Sequence, residues 1–311
     1  MKRTVLLLAL VFVMASCKNH PLAIEVLNSK TINDFPSGSG LVAVENGFYA
    51  IGDDSPFLFQ INTENEVVSK TQIHAAQEVN KGRISKTDKP DFESLEVIGK
   101  NELVAFGSGS KSPQRDVFLH IFLEDSLRIK TYDISPFYDN LRALKAMENE
   151  ALNIEAVAFQ NDKIYLFNRG KNIIFEFVYT DFLAYLEGSA PFPKPVLTEF
   201  SLPKINGRES GFSGATIVKD TSMILFTASV ENTANAYDDG EVWGSFIGTI
   251  PISNNRVLNS YGATRIPNIG EPLKVESVTI ADKIGPHKYK VALVTDDDKG
   301  NSIKIDCQIN L

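Results

Sequence analysis

"LNIEAVAFQNDKIYLFNRG", residues 152–170, reads as two short apolar strands around the turn Asn161-Asp162-Lys163. A carboxylate, Glu155, stands at the mouth of the first strand, and a guanidinium, Arg169, stands just past the second. One hairpin carrying two charges says little. A hairpin that recurs, with its charges at corresponding places, defines both an architecture and a location, so repetition is the first thing to test.

It recurs. Four further segments share the template of a Gly- or Glu-marked start, an apolar strand, a polar turn, a second apolar strand and a polar cluster. They are "SGSGLVAVENGFYAIGDDS" from Ser37, "DFESLEVIGKNELVAFGSGS" from Asp91, "GFSGATIVKDTSMILFTASVEN" from Gly211 and "LKVESVTIADKIGPHKYKVALVTDDD" from Leu273. The markers are Gly40, Glu93, Glu155, Gly214 and Glu276, spaced by 53, 62, 59 and 62 residues. That period is somewhat longer than a four-stranded propeller blade needs and leaves room for extended loops.

Two more strand-like runs follow each hairpin: Pro56 to Ile61 and Glu66 to Gln72; Asp116 to Leu123 and Leu127 to Tyr132; Asn172 to Tyr179 and Val196 to Leu202; Glu241 to Ile250 and Arg256 to Ser260. The fifth unit has only Asn301 to Ile309 and is one strand short. "PLAIEVLN", Pro21 to Asn28, is able to supply it and would cover an otherwise exposed sheet edge. The expectation is an all-β chain forming a single five-bladed β-propeller over 21–311, its amino-terminal strand closing the last blade. Six blades is the alternative, if the insert from Ser135 to Leu152 hides a degenerate one. That insert reads as a short amphipathic helix, as does "TDFLAYLEG" from Thr180.

In a propeller, innermost strands start and second strands end on the face around the central channel. Glu93, Glu155 and Glu276 then share a rim with Asp53, Arg115, Asn168, Arg169, Asp296 and Tyr237. Loops on a rigid scaffold suit binding. Two chemistries fit such a rim. Converging carboxylates hold a hard cation such as Ca²⁺, which takes 6–8 oxygens, giving Glu93, Glu155 and Glu276 as metal ligands. Arg115 and Arg169 would orient an anionic group, and Asn168, Asp53, Asp296 and Tyr237 would complete a ligand site. Alternatively, the glutamates cap backbone N–H groups between blades, and Arg169 simply pairs with Glu155.

The amino terminus is not part of this pattern. Lys2 and Arg3 precede an apolar run from Thr4 to Met14, followed by small residues, which is an export signal over 1–16. Met14-Ala15-Ser16-Cys17 resembles a bacterial lipobox, which implies cleavage before Cys17, lipidation of that residue and a tether over 17–20. A bilayer partner through acylated Cys17 is expected, facing the periplasm, with the cell surface as the alternative. Without Lys2 and Arg3 the chain carries 29 basic against 39 acidic side chains, a net charge of −10. With no Lys/Arg cluster, nucleic acid is excluded as a partner; a small molecule or protein at the channel mouth, and a monomer, are expected. Cys307 has no partner once Cys17 is acylated, so the domain relies on its core rather than on disulfides.

Asn153-Ile154-Glu155-Ala156 and Asp91-Phe92-Glu93-Ser94 resemble the strand starts of the phytase-like esterase propellers and their uncharacterised bacterial relatives, with Ala156 and Ser94 in place of the usual Gly. The similarity runs through all five repeats. It implies a propeller and a phosphoester- or ester-directed site, with calcium as the candidate metal, and transfers no catalytic residue, because dense Asp-rich calcium motifs are not evident.

Other signals do not hold. "GSGSKS" from Gly107 lacks phosphate-loop spacing, and "GFSGA" from Gly211 lacks the final Gly of a nucleophile elbow. "DDDKGNS" from Asp296 places its Gly one position early for an EF-hand. The four histidines are scattered, which gives zinc or a Ser-His-Asp triad little support.

Overall fold

The computed structural model describes residues 22–76, 78–124, 126–232, 240–296 and 301–311. The expected leader, Cys17 with its tether, and Tyr237 lie outside them. Five antiparallel sheets follow one another along the chain. Blade 1 comprises Gly38–Val44, Gly47–Gly52, Phe57–Ile61 and Val67–Gln72; blade 2, Phe92–Gly99, Glu102–Gly107, Val117–Phe122 and Arg128–Asp133; blade 3, Ile154–Gln160, Lys163–Asn168, Ile173–Val178 and Val196–Glu199. Blade 4 comprises Gly211–Val218, Met223–Asn232, Glu241–Ser253 and Gly262–Arg265; blade 5, Val275–Lys283, Lys288–Asp296 and Ser302–Asn310. The innermost strands neighbour one another in cyclic order, blade 5 meeting blade 1. This is a five-bladed propeller.

Closure follows the expected route. Ala23–Ile32 pairs antiparallel with Ser302–Asn310, from Ala23 opposite Asn310 to Ile32 opposite Ser302. The long insert holds no sixth blade: it contains helix α1 (Ser135–Arg142) and a 3-10 turn, Lys145–Met147. Helix α2, Tyr179–Leu186, is the second excursion. One boundary differs from expectation. Arg256–Val257 folds back on the end of the third strand of blade 4, through the left-handed turn Asn254-Asn255, and the outer strand comes later, at Gly262–Arg265.

Side-chain parity explains the sequence. Successive residues of a strand face opposite sides of the sheet, and each blade has a neighbour on both. Ile164 and Leu166 pack between blades 2 and 3, Tyr165 and Phe167 between blades 3 and 4. In blade 2, Val104 and Phe106 face blade 3, whereas Leu103 and Ala105 face blade 1. A strand buried on both faces is apolar at every position, hence runs such as "KIYLF". Burying one Phe stabilises the fold by about 1.5–3 kcal/mol, and the contributions are spread over five interfaces rather than one centre.

Each innermost strand carries a β-bulge near its start. The residue left out of the ladder is Ser39, Glu93, Glu155, Ser213 or Glu276, in blades 1 to 5. A bulge re-aims one side chain without breaking the sheet. The equivalent residues in blades 1 and 4 are therefore Ser39 and Ser213, one position before the Gly40 and Gly214 markers. Gly40 and Gly214 have another role: a Cβ on Gly214 would lie 2.8 Å from Ser277 Cα of blade 5, so glycine lets neighbouring innermost strands approach.

Candidate functional site

Three sets of five residues converge at the channel mouth, one member of each per blade. The bulge set is Ser39, Glu93, Glu155, Ser213 and Glu276. Two residues earlier, and so on the same side of the strand, stand Ser37, Asp91, Asn153, Gly211 and Lys274. At the second-strand ends stand Asp53, Ser108, Arg169, Ser229 and Asp296, placed by the pairing of each hairpin. Backbone bonds lock the second set to the third: Asp53 N donates to Ser37 O (3.0 Å), Ser108 N to Asp91 O (2.9 Å) and Arg169 N to Asn153 O (2.8 Å).

The two bulged serines and the three bulged glutamates do different jobs. Ser39 Oγ donates to Phe92 O (2.5 Å) and Ser213 Oγ to Val275 O (2.6 Å), each reaching the next blade just before its own bulge. The longer glutamates reach into the mouth. They line a cavity of about 720 Å³ together with Asp53, Arg115, Arg169 and Asp296. The structure thus brings seven of the expected site residues into one cavity. Asn168 is not among its lining residues. Fully buried, it accepts from Asn153 N (2.7 Å) and donates to the carbonyls of Arg169 (2.9 Å) and Lys171 (3.0 Å), shaping the loop that carries Arg169.

Among the described residues, nine carboxylates and seven cationic side chains line this cavity. Each of its inner cations is held by carboxylates, most of them shared between blades. Lys89 Nζ lies 2.7 Å from Asp91 Oδ1 and also binds Asp53. Arg115 Nη1 binds Asp91 Oδ2 (2.5 Å) and Ser110 (2.7 Å). Arg169 reaches Glu231 (2.7 Å), Glu155 (3.3 Å) and Glu276 (4.0 Å). Lys274 reaches Glu231 (3.0 Å) and Glu276 (3.2 Å). Arg169 owes its path to Gly211, where a Cβ would stand 2.4 Å from Arg169 Cγ.

Crowding in a poorly hydrated space sets the protonation equilibria. Burial raises Asp53 to about 6, against the pull of Lys89. Burial raises Glu155 to about 7, with Arg169 opposing and Glu276 reinforcing. Burial, then the charges of Asp91, Glu155 and Asp53, hold Glu93 well above the usual carboxylate range. Burial alone would lower Arg169, but Glu155, Glu231 and Glu276 outweigh it and keep the guanidinium charged.

The three glutamates expected to share a metal are not gathered as one set; a different trio of carboxylates comes together. Oxygens of Asp53, Asp91 and Glu93 lie within 4.8 Å of one another. Glu155 and Glu276 instead share Arg169. Even at the trio the fit to Ca²⁺ is poor. A calcium ion takes 6–8 oxygens at 2.3–2.6 Å, and here Lys89 holds Asp53 and Asp91 while Arg115 holds Asp91. A divalent ion bound to the trio would face both cations at close range.

Lys89, Asp91 and Lys274 complete the network with Glu231, and these three were not among the expected rim residues. Their sequence signal was present: Asp91 and Lys274 each precede a bulged Glu by two positions, in "DFE" and "KVE".

Residues 34–309 match DUF6929, a family of unknown function. The chain belongs to that family. No curated protein matches it. Among solved structures, glutaminyl cyclase of Myxococcus xanthus is similar over 92% of this chain and 97% of its own, at 8% identity and a TM-score of 0.50. The tail fibre of Staphylococcus aureus phage P68 is similar over 93% of this chain and 53% of its own, at 11% identity and a TM-score of 0.44. At such identities the cyclase likeness of this DUF6929 member is one of fold.

Proposed function

We propose that this DUF6929 chain is a binding propeller, held to a bacterial envelope membrane through acylated Cys17, that captures a small charged organic molecule at its channel mouth. The observation that carries this reading is the cavity of about 720 Å³, lined among the described residues by nine carboxylates and seven cationic side chains. Ligand pockets fall at about 300–1,000 Å³, and a purely structural rim would not enclose such a space with charged groups facing it. Calorimetry and thermal shift on the full-length protein with a panel of charged metabolites test it: ligands should raise the melting temperature of the wild type and not of Glu155→Gln. For the anchor, labelling with radioactive palmitate should be lost in Cys17→Ser, with the protein then recovered from the soluble fraction.

A metal-assisted phosphoesterase or carboxylic esterase, in line with the resemblance to phytase-like esterases, is the second reading. The close approach of Asp53, Asp91 and Glu93 favours it. A cation there would polarise an ester or activate a water. Calcium-dependent turnover of a chromogenic phosphoester, abolished in Glu93→Gln, would establish this chemistry. Turnover unchanged by chelator would remove it.

A further inference from the structure

The class of ligand can be read from which polar groups at the mouth lack partners. Among the described residues, no side-chain nitrogen is buried without a hydrogen-bond partner. Lys89, Arg115, Arg169 and Lys274 are all engaged by the chain's own carboxylates. An anionic ligand would have to displace Glu155, Glu231 or Asp91 to reach the guanidinium of Arg115 or Arg169. The incomplete groups are acceptors. Glu276, only 5% exposed, lines the cavity; Lys274 lies 3.2 Å from its Oε1, whereas its Oε2 accepts no hydrogen bond and stands 4.0 Å from Arg169. Asp53 Oδ1 is likewise buried without a donor on the other side of the mouth. Buried acceptors without donors are costly, more so when charged. A ligand that supplies donors recovers that cost.

From this pattern we infer that the mouth takes an organic cation carrying primary ammonium or guanidinium groups. This rests on the binding reading above and deepens it. Six inner carboxylates (Asp53, Asp91, Glu93, Glu155, Glu231 and Glu276) face four inner cations, so the innermost part of the cavity has room for positive charge. Size separates an organic cation from a bare ion. A water occupies about 30 Å³, so a lone ion would leave most of the 720 Å³ to solvent, whereas an amine with a carbon body fills it. Directional N–H donors also suit Asp53 Oδ1 of blade 1 and Glu276 Oε2 of blade 5 better than one ion can.

Calorimetry on the detergent-solubilised full-length protein at pH 7.5 tests this with putrescine, agmatine, N-acetylputrescine, succinate and CaCl₂. Putrescine or agmatine should bind, succinate should not, and acetylating one amine should weaken binding about tenfold or more. Glu276→Gln and Glu93→Gln should each weaken diamine binding by a similar factor. If either variant fails to fold, the comparison of free and acetylated amines on the wild type still decides. Binding of succinate or Ca²⁺ in place of the amines, lost in the same variants, overturns the cation class and leaves the binding mouth standing. Amine binding that neither substitution alters, or no binding by any probe, overturns both.

Discussion

Lys89 Nζ stands between two carboxylates of different blades, 2.7 Å from Asp91 Oδ1 and in contact with Asp53, so one buried ammonium ties blade 1 to blade 2 at the channel mouth. Removing a partner from a buried ion pair is far more costly than the pair's net contribution, because it leaves an uncompensated charge. Lys89→Met should therefore destabilise the protein by about 3 kcal/mol, measured by urea denaturation at pH 7.5. The same change removes one of the two cations held at the trio of Asp53, Asp91 and Glu93, leaving Arg115 on Asp91. Calcium should then raise the melting temperature of Lys89→Met by more than it raises that of the wild type.

Glu96 makes a different prediction. It is buried on the innermost strand of blade 2, where it accepts from Val97 N at 2.8 Å. Burial raises it to about 8, with Val97 N–H, the Thr216 hydroxyl and Lys219 opposing. A carboxyl raised in the folded state binds protons more tightly there than in the unfolded chain. Its stabilisation is complete below the unfolded value near 4.5 and is lost as pH rises through about 8. Glutamine mimics the protonated form. Glu96→Gln should match the wild type at pH 5 and exceed it by about 1 kcal/mol or more at pH 9, read from thermal unfolding at both pH values.

Asp53 and Glu155 act in the same direction over a lower window. Both are raised, to about 6 and about 7, so their share of stability declines between roughly pH 4 and pH 7. The wild type should melt at a higher temperature at pH 5 than at pH 7.5, and Glu155→Gln should reduce that difference.

Gly211 gives a steric test of the mouth. Gly211→Ala places a Cβ against the stem of Arg169, which must swing away from Glu155 and Glu231. The cost to stability should be about 1–2 kcal/mol, and ligand affinity should fall with it. A structure of the variant with Arg169 unmoved would refute the account.

The closing strand gives the last prediction. Deleting residues 22–32 strips Ser302–Asn310 of its outer partner and uncovers Ile32's neighbours Phe35, Leu41 and Val294. An exposed edge of that length is a template for association. The truncated protein should melt at least about 10 °C lower and elute as dimers or larger species in size-exclusion chromatography.

Much of the architecture was legible because each blade must satisfy two neighbours. Strands such as Ile164–Phe167 are apolar at every position and stand out between polar turns, and the one-strand deficit of the fifth unit pointed directly to the amino terminus. Blade 4 was less legible. Nothing in "NNRVLNSYGATR" separates the short fold-back at Arg256–Val257 from the outer strand at Gly262–Arg265, since both are brief and half exposed. At the mouth, the three glutamates were found because their carboxylates break an apolar context. Ser39 and Ser213 were missed by one residue, because a bulge shifts the register where a fixed template does not. Asn168 was misread as a ligand group because an amide at a strand end has the same appearance in sequence whether it faces a cavity or its own loop. Lys89 was invisible as a site residue, since its partners Asp53 and Asp91 come from two blades, 38 positions apart in the chain.

The antiparallel pairing of the first strand also sets an orientation. Asp296, at the cavity, pairs with Ser302, and Lys288, at the other end of the same ladder, pairs with Asn310, which faces Ala23. The chain thus enters the propeller from the side remote from its aperture. Five residues separate Cys17 from Ala23, a leash of about 20 Å at full stretch. A bilayer gripping the acyl chains on Cys17 would lie beneath the disc like a tabletop under an upturned bowl, leaving the opening to sample solutes from the surrounding fluid and none from the lipid.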